Sequence, residues 1–109
     1  MKILTLVLLS ATLTIACTAQ KPAIPECVET KISEYNLSSA CSDAKVDQYT
    51  FQGKTVYAFV PGTCGADMTT EVMNADCTTM GYLGGIAGNT KINGTEFSTA
   101  KFVKLIWKK

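Results

Sequence analysis

The chain has no histidine and no arginine among its 109 residues. Without His, the Ser–His and Cys–His pairs of nucleophilic catalysis are excluded. Without Arg, and with only a +1 formal charge, the electrostatic footprint of a nucleic-acid binder is missing. No second apolar run follows the first one at the N-terminus, so no later segment reads as a membrane span. There is no Cys-x-x-Cys pair of the redox or zinc type. The cysteine spacings are wide, and the sequence implies no metal and no cofactor.

What is present begins with an export signal. Met1-Lys2 is a short basic start, and Ile3 to Ile15 is a largely apolar run. That run is too short for the ~20 apolar residues that cross a bilayer and has the length of a signal-peptide core. Two cleavage sites compete within residues 1–19. Thr14-Ile15-Ala16-Cys17 resembles a bacterial lipobox, with Cys17 as the lipidated first residue, although Thr14 replaces the usual Leu. Cys17-Thr18-Ala19 offers small residues for an ordinary signal peptidase, with Gln20 as the new N-terminus. Residues 20–24 then form a tether and residues 25–109 a single domain. The expected location is the periplasm, an outer-membrane lipoprotein held only through a lipid at Cys17, or the secreted fraction.

Either cut leaves an even set of cysteines, Cys27, Cys41, Cys64 and Cys77. An oxidising destination makes these two disulfides. Four cysteines allow three pairings. Local loop closure favours Cys27–Cys41 and Cys64–Cys77, a loop of about 15 residues being worth roughly 3 kcal/mol in the chain-entropy model. Covalent support matters here, because a domain of about 90 residues buries only roughly 60–65% of its unfolded surface.

Pro25, Glu26 and Glu29 suit a helix start, and Ile24, Val28, Ile32 and Tyr35 fall at helical spacing, which predicts a helix over 25–36. Val46–Phe51 and Thr55–Val60 read as strands around a Gln52-Gly53-Lys54 hairpin loop. Thr69–Met73, Cys77–Tyr82 and Ala100–Trp107 complete the sheet, and Asn93-Gly94 marks a further turn. The expected class is α+β: one short N-terminal helix packed on a four- to five-stranded antiparallel sheet, disulfide-stabilised, with the sheet's other face wet.

Few motifs carry chemistry. The Gly-rich stretch Gly81–Asn89 lacks the helix start and the Lys-Ser/Thr of a phosphate loop. The nine acidic residues are scattered, and Asp67, Glu71 and Asp76 lack EF-hand spacing. Lys101, Lys104, Lys108 and Lys109 form the one basic cluster, read first as a solvated strand edge and tail, with a patch for a polyanion or lipid headgroup as the alternative. Asn36-Leu37-Ser38 and Asn93-Gly94-Thr95 match the glycosylation pattern, which has no role behind a bacterial leader. These absences favour a non-enzymatic exported domain that binds a protein or cell-envelope partner. The alternatives are a small hydrolase or lyase using carboxylates or Ser–Lys, and a structural lipoprotein. The candidate partner-binding segment is Tyr82–Asn93, with Tyr82, Leu83 and Ile86 as apolar contacts, or else as the last pieces of the core.

Taken in order, Val46-Asp47-Gln48-Tyr49-Thr50-Phe51-Gln52-Gly53-Lys54-Thr55-Val56-Tyr57, Pro61-Gly62-Thr63-Cys64, Cys77, Gly81-Tyr82-Leu83-Gly84-Gly85 and Ile106-Trp107 resemble a family of small exported bacterial proteins catalogued as a domain of unknown function. The resemblance spans Cys27 to Trp107. It implies export and a single domain, and it brings no activity or catalytic residues with it. Members often carry additional Cys near the Gly-rich segment; Met80 stands at that place, which implies a reduced disulfide set.

Overall fold

A computed structural model describes residues 24–109. The leader, the two cleavage sites, Cys17 and most of the tether lie outside the described residues. Within them the fold is one helix packed against a five-stranded antiparallel sheet, with two disulfides, and it is mostly sheet.

The helix α1 (Glu26–Ser38) starts behind Pro25, whose carbonyl accepts from the Val28 and Glu29 N–H groups at 2.9 and 3.0 Å. Glu26 and Glu29 lie in its first turn, where negative charge complements the exposed N–H groups. It runs on through Leu37 and Ser38, which the sequence reads as loop, and the Ser39 N–H closes it on the Tyr35 carbonyl. Its grip on the sheet is slight. Val28 is its one fully buried residue, and Cys27, Ile32 and Tyr35 are partly buried on the same side.

The strands are β1 (Lys45–Phe51), β2 (Lys54–Val60), β3 (Thr69–Asn74), β4 (Thr79–Gly84), the short pair β5 (Lys91–Ile92) and β6 (Thr95–Glu96), and β7 (Lys101–Lys108). The β1–β2 hairpin turns on Gln52 and Gly53 alone, at φ 51° and 74°, so Lys54 belongs to the strand. Two residues at positive φ give the turn whose twist matches the flanking strands. The β3–β4 turn is longer than expected. The Asn74 N–H bonds the Thr78 carbonyl, and the Asp76 carboxylate holds both the N–H and the hydroxyl of Thr78. Thus β4 begins at Thr79 rather than Cys77.

Sheet order is β4-β3-β2-β1-β7. The chain therefore leaves one edge at Gly84 and reaches the opposite edge at Lys101. Its path explains why the expected wet face is in part dry. The α1 side buries Val46, Tyr57, Phe59 and Met73 beneath Val28, with Tyr35 wedged edge-on against Phe59 and Trp107 at 5.4 and 5.9 Å. On the far face, Phe51, Val56 and Val72 are buried under Ile92, with Phe97 and Leu83 packed around them. The β5–β6 hairpin and the 3-10 turn Phe97–Thr99 form this second lid.

The disulfides are Cys27–Cys77 and Cys41–Cys64, with Cα separations of 6.1 and 5.5 Å. The local pairing expected from loop closure is incorrect, and the regular elements explain why. The stretch of α1 from Cys27 to its end at Ser38 carries the chain about 17 Å along the helix axis at 1.5 Å per residue before Cys41. The six residues of β3 separate Cys64 from Cys77 by a similar ~20 Å at about 3.3 Å each. A disulfide needs Cα atoms within about 7 Å. Each bridge instead ties one end of α1 to a loop at one end of the sheet. The closed loops span 50 and 23 residues, worth about 4 and about 3.4 kcal/mol in the chain-entropy model.

The Cys41–Cys64 end carries a second clamp. The Thr63 N–H bonds both Asp43 carboxylate oxygens at 3.1 and 3.0 Å, and the Thr63 hydroxyl donates to Oδ2 at 2.6 Å. Gly62, at φ 98°, lets the chain pass; a Cβ there would sit on the Asp43 carboxylate and 2.7 Å from Cys41 Cβ.

The Thr63 hydroxyl and N–H hold the Asp43 carboxyl below its ordinary value of 3.8. A carboxyl with a lowered folded value contributes stability that is full above its unfolded value and is lost as pH falls through the folded one. Asp43→Asn should therefore lower Tm most above about pH 4, with the gap to wild type shrinking as pH falls below that. A gap independent of pH would contradict the clamp.

Candidate interaction surface

The β3–β4 ladder sets Glu71 opposite Tyr82 and Thr70 opposite Leu83. Opposite pairs share a face, so the two strands sort the candidate segment onto two sides. Tyr82 stands on the α1 side, 52% exposed. Its hydroxyl donates to Glu71 Oε2 at 3.2 Å, and the Thr79 hydroxyl donates to the same oxygen at 2.8 Å. The Glu71 charge, and then its hydrogen bond, push the Tyr82 phenol above its ordinary value. Tyr35, across a shallow cleft, is raised first by burial and second by Glu71, and its hydroxyl is buried without a hydrogen-bond partner.

That cleft measures about 230 Å³ and is lined by Lys31, Glu34, Tyr35, Phe59, Glu71 and Thr79, among others. Small-molecule sites usually run from about 300 to 1,000 Å³. The three acids weighed for calcium do not act together: Glu71 takes two hydroxyls here, and Asp76 is engaged with Thr78 in the hairpin turn. Among the described residues no group of three or more Cys, Asp or Glu is placed to hold a metal ion. No helix among them is long and apolar enough to cross a membrane.

Leu83, one residue on, points the other way and packs against the far-face cluster of Phe51, Val56, Val72 and Ile92. Met80 joins the same cluster. After β4 the Gly-rich stretch is a closed turn. The N–H groups of Gly84 and Asn89 each bond the other's carbonyl, at 2.8 and 3.1 Å, and the Gly85 N–H bonds the Met68 carbonyl at 3.2 Å. The Asn89 amide then bonds the carbonyls of Tyr82 and Lys91 at 2.6 and 2.9 Å. Ile86 stands at the tip of this turn, 90% exposed. The three candidate contacts therefore separate: Tyr82 and Ile86 face outward, and Leu83, half-buried, packs against the far-face core.

Sequence reasoning missed one buried charge. Asp47 is 2% exposed on the far face, with Oδ2 3.0 Å from Lys45 Nζ and Oδ1 without a partner. Its neighbours across the ladder are Ala58 and Leu105. Lys and Asp two residues apart in a strand share a face, so the pair was visible as a spacing.

Leu83→Ser should lower Tm by several degrees, since it removes about 1.5–3 kcal/mol of buried apolar side chain at most and a kcal/mol moves Tm by about 4–8 °C in a domain this size. Ile86→Ser should leave Tm within about 2–4 °C, since substitutions at exposed positions generally stay within about 0.5 kcal/mol. Equal losses would show that Ile86 is packed.

A family model described as a domain of unknown function (DUF6970) matches residues 33–109. The match takes in Cys41, Cys64 and Cys77 and begins after Cys27. No curated protein and no solved structure matches the chain. The chain belongs to the DUF6970 family, a domain of unknown function.

Proposed function

We propose that this is an exported, non-enzymatic binding domain that presents the turn after β4 to a protein or cell-envelope partner. The observation that carries the reading is Ile86: a large apolar side chain almost fully exposed on a turn whose backbone is hydrogen-bonded on both sides. A fixed turn loses little conformational freedom on binding, so the area it buries is retained as affinity. Tyr82, on the adjoining strand, adds an aromatic body with a polar tip, a type enriched at interfaces. Two disulfides and the leader of residues 1–19 agree with an oxidising destination. In the lipoprotein form, Cys17 carries the lipid and the tether holds the domain at the membrane surface.

A photo-crosslinking residue placed at position 86, in the chain expressed in its own host, tests this. The expected result is one dominant covalent partner, captured less when Tyr82→Ser is added, at unchanged Tm. Uniform labelling of many proteins would overturn the choice of surface. Chain-dependent turnover of a peptide or glycan by the purified protein would overturn the non-enzymatic reading.

A further inference from the structure

β7 ends the sheet, with β1 as its one strand neighbour among the described residues. Its outer side therefore presents a row of N–H and C=O groups able to accept another strand. The register assigns its side chains to faces. Lys101 lies opposite Thr50, Lys104 opposite Gln48 and Trp107 opposite Val46, all on the α1 side. Phe102 lies opposite Tyr49 and Leu105 opposite Asp47, on the far side. The register shifts twice, between Val46 and Asp47 and between Gln48 and Tyr49, leaving Ile106 and Val103 as the extra residues.

Lysines and bulges are common protective devices on an edge strand. They account for Lys101, Lys104 and the register shifts. They do not account for Phe102, Val103 and Leu105, which are 59%, 47% and 47% exposed on the same strand. On the far face Phe102 packs edge-on against Tyr49 at 5.8 Å, on the same ring that Phe97 meets at 5.1 Å, and still stays more than half exposed. An edge with unpaired backbone, an apolar row and a basic row has the features of a strand-addition site.

Charge selects the occupant. Residues 101–109 hold four Lys and no acid. Among the described residues the ion pairs are Lys31–Glu34 and Lys45–Asp47, so Lys101 and Lys104 have no acidic partner. A second copy pairing β7 antiparallel to itself would bring both sets of lysines into one ladder, and like charges across a ladder are destabilising. The segment before Ile24 reads Thr18-Ala19-Gln20-Lys21-Pro22-Ala23; it adds a further Lys and a Pro that cannot donate to a ladder.

The geometry points to β7 as the docking edge for an extended acidic segment of a partner protein, added as a sixth strand. Its acidic residues meet Lys101 and Lys104 on the α1 side, and its alternate apolar residues cover Phe102 and Leu105 on the far side. This surface lies on the opposite edge of the sheet from β4 and its turn, so it stands whether or not the Ile86 surface binds.

The test is an amide-resolved NMR titration of the chain, expressed with its leader and purified with both disulfides formed. The probes are a short peptide of alternating Glu and Val and its Lys–Val counterpart. The Glu–Val peptide should shift and protect β7 amides, weaken as salt rises, and lose about tenfold or more in affinity in Lys101→Glu/Lys104→Glu. That double variant should keep its Tm and take the Lys–Val peptide instead. The proposal is overturned by shifts centred on β4, by equal binding of the two peptides to wild type, or by unchanged affinity in the double variant. It is equally overturned by β7 protection that grows with protein concentration alone, the mark of a second copy. Binding to phosphatidylglycerol vesicles with no response to either peptide would also overturn it.

Discussion

Two covalent bonds at opposite ends of one helix hold this small fold in register. α1 has one fully buried residue and no side-chain cap. A short helix with so little buried surface is marginal by itself, since most helical stability in proteins comes from packing an apolar face. Cys27–Cys77 fixes its first turn to the β3–β4 turn, and Cys41–Cys64 fixes the loop after it to the β2–β3 loop. With both ends tied, Val28, Ile32 and Tyr35 need only complete the contact with Val46, Phe59 and Trp107. The Asp43–Thr63 clamp and the passage of the chain at Gly62 reinforce the second tie.

The same economy shapes the rest of the molecule. One helix covers one face of five strands, and the chain covers the other only where it crosses from β4 to β7. That crossing leaves Ile86 exposed at its start, and Phe102, Val103 and Leu105 at its end. Both outward surfaces are thus consequences of connectivity. A sheet built in sequence order β1 to β4, with its last strand added beside β1, must send the chain over a face, and the α1 face is already taken. The buried Asp47 lies under this last strand, opposite Leu105, with Lys45 as its one charged partner. Its second oxygen, Oδ1, is buried with no hydrogen-bond partner among the described residues.

Much of the fold was legible. The β1–β2 hairpin was fixed by aromatic and β-branched runs around Gln52-Gly53, and the helix by Pro25, two early Glu and the spacing of Val28, Ile32 and Tyr35. The disulfide pairing was not read correctly, although the same elements contained the answer: a helix between Cys27 and Cys41, and a strand between Cys64 and Cys77, each too long to bridge. The covered far face was also visible in principle. Val56-Tyr57-Ala58-Phe59-Val60 is continuously apolar, the pattern of a strand buried on both sides, and β2 lies in the middle of the sheet. What could not be read was which piece of chain would cover it, because β5 and β6 are two residues each and acquire their role only through Ile92 and the neighbouring Phe97. Of the candidate contacts, the assignment of Leu83 to the core and Tyr82 to the surface depended on the register of β4 against β3, including the irregularity between Val72 and Met73.

The two bridges hold α1 more than its packing does. Amide hydrogen exchange on a Cys27→Ala/Cys77→Ala variant, compared with wild type under oxidising conditions, tests it most directly. Residues 26–38 should lose protection by a large factor while β1, β2 and β3 keep most of theirs, with Cys41–Cys64 still formed. Unchanged protection across α1, or equal loss across α1 and the central strands, would contradict it.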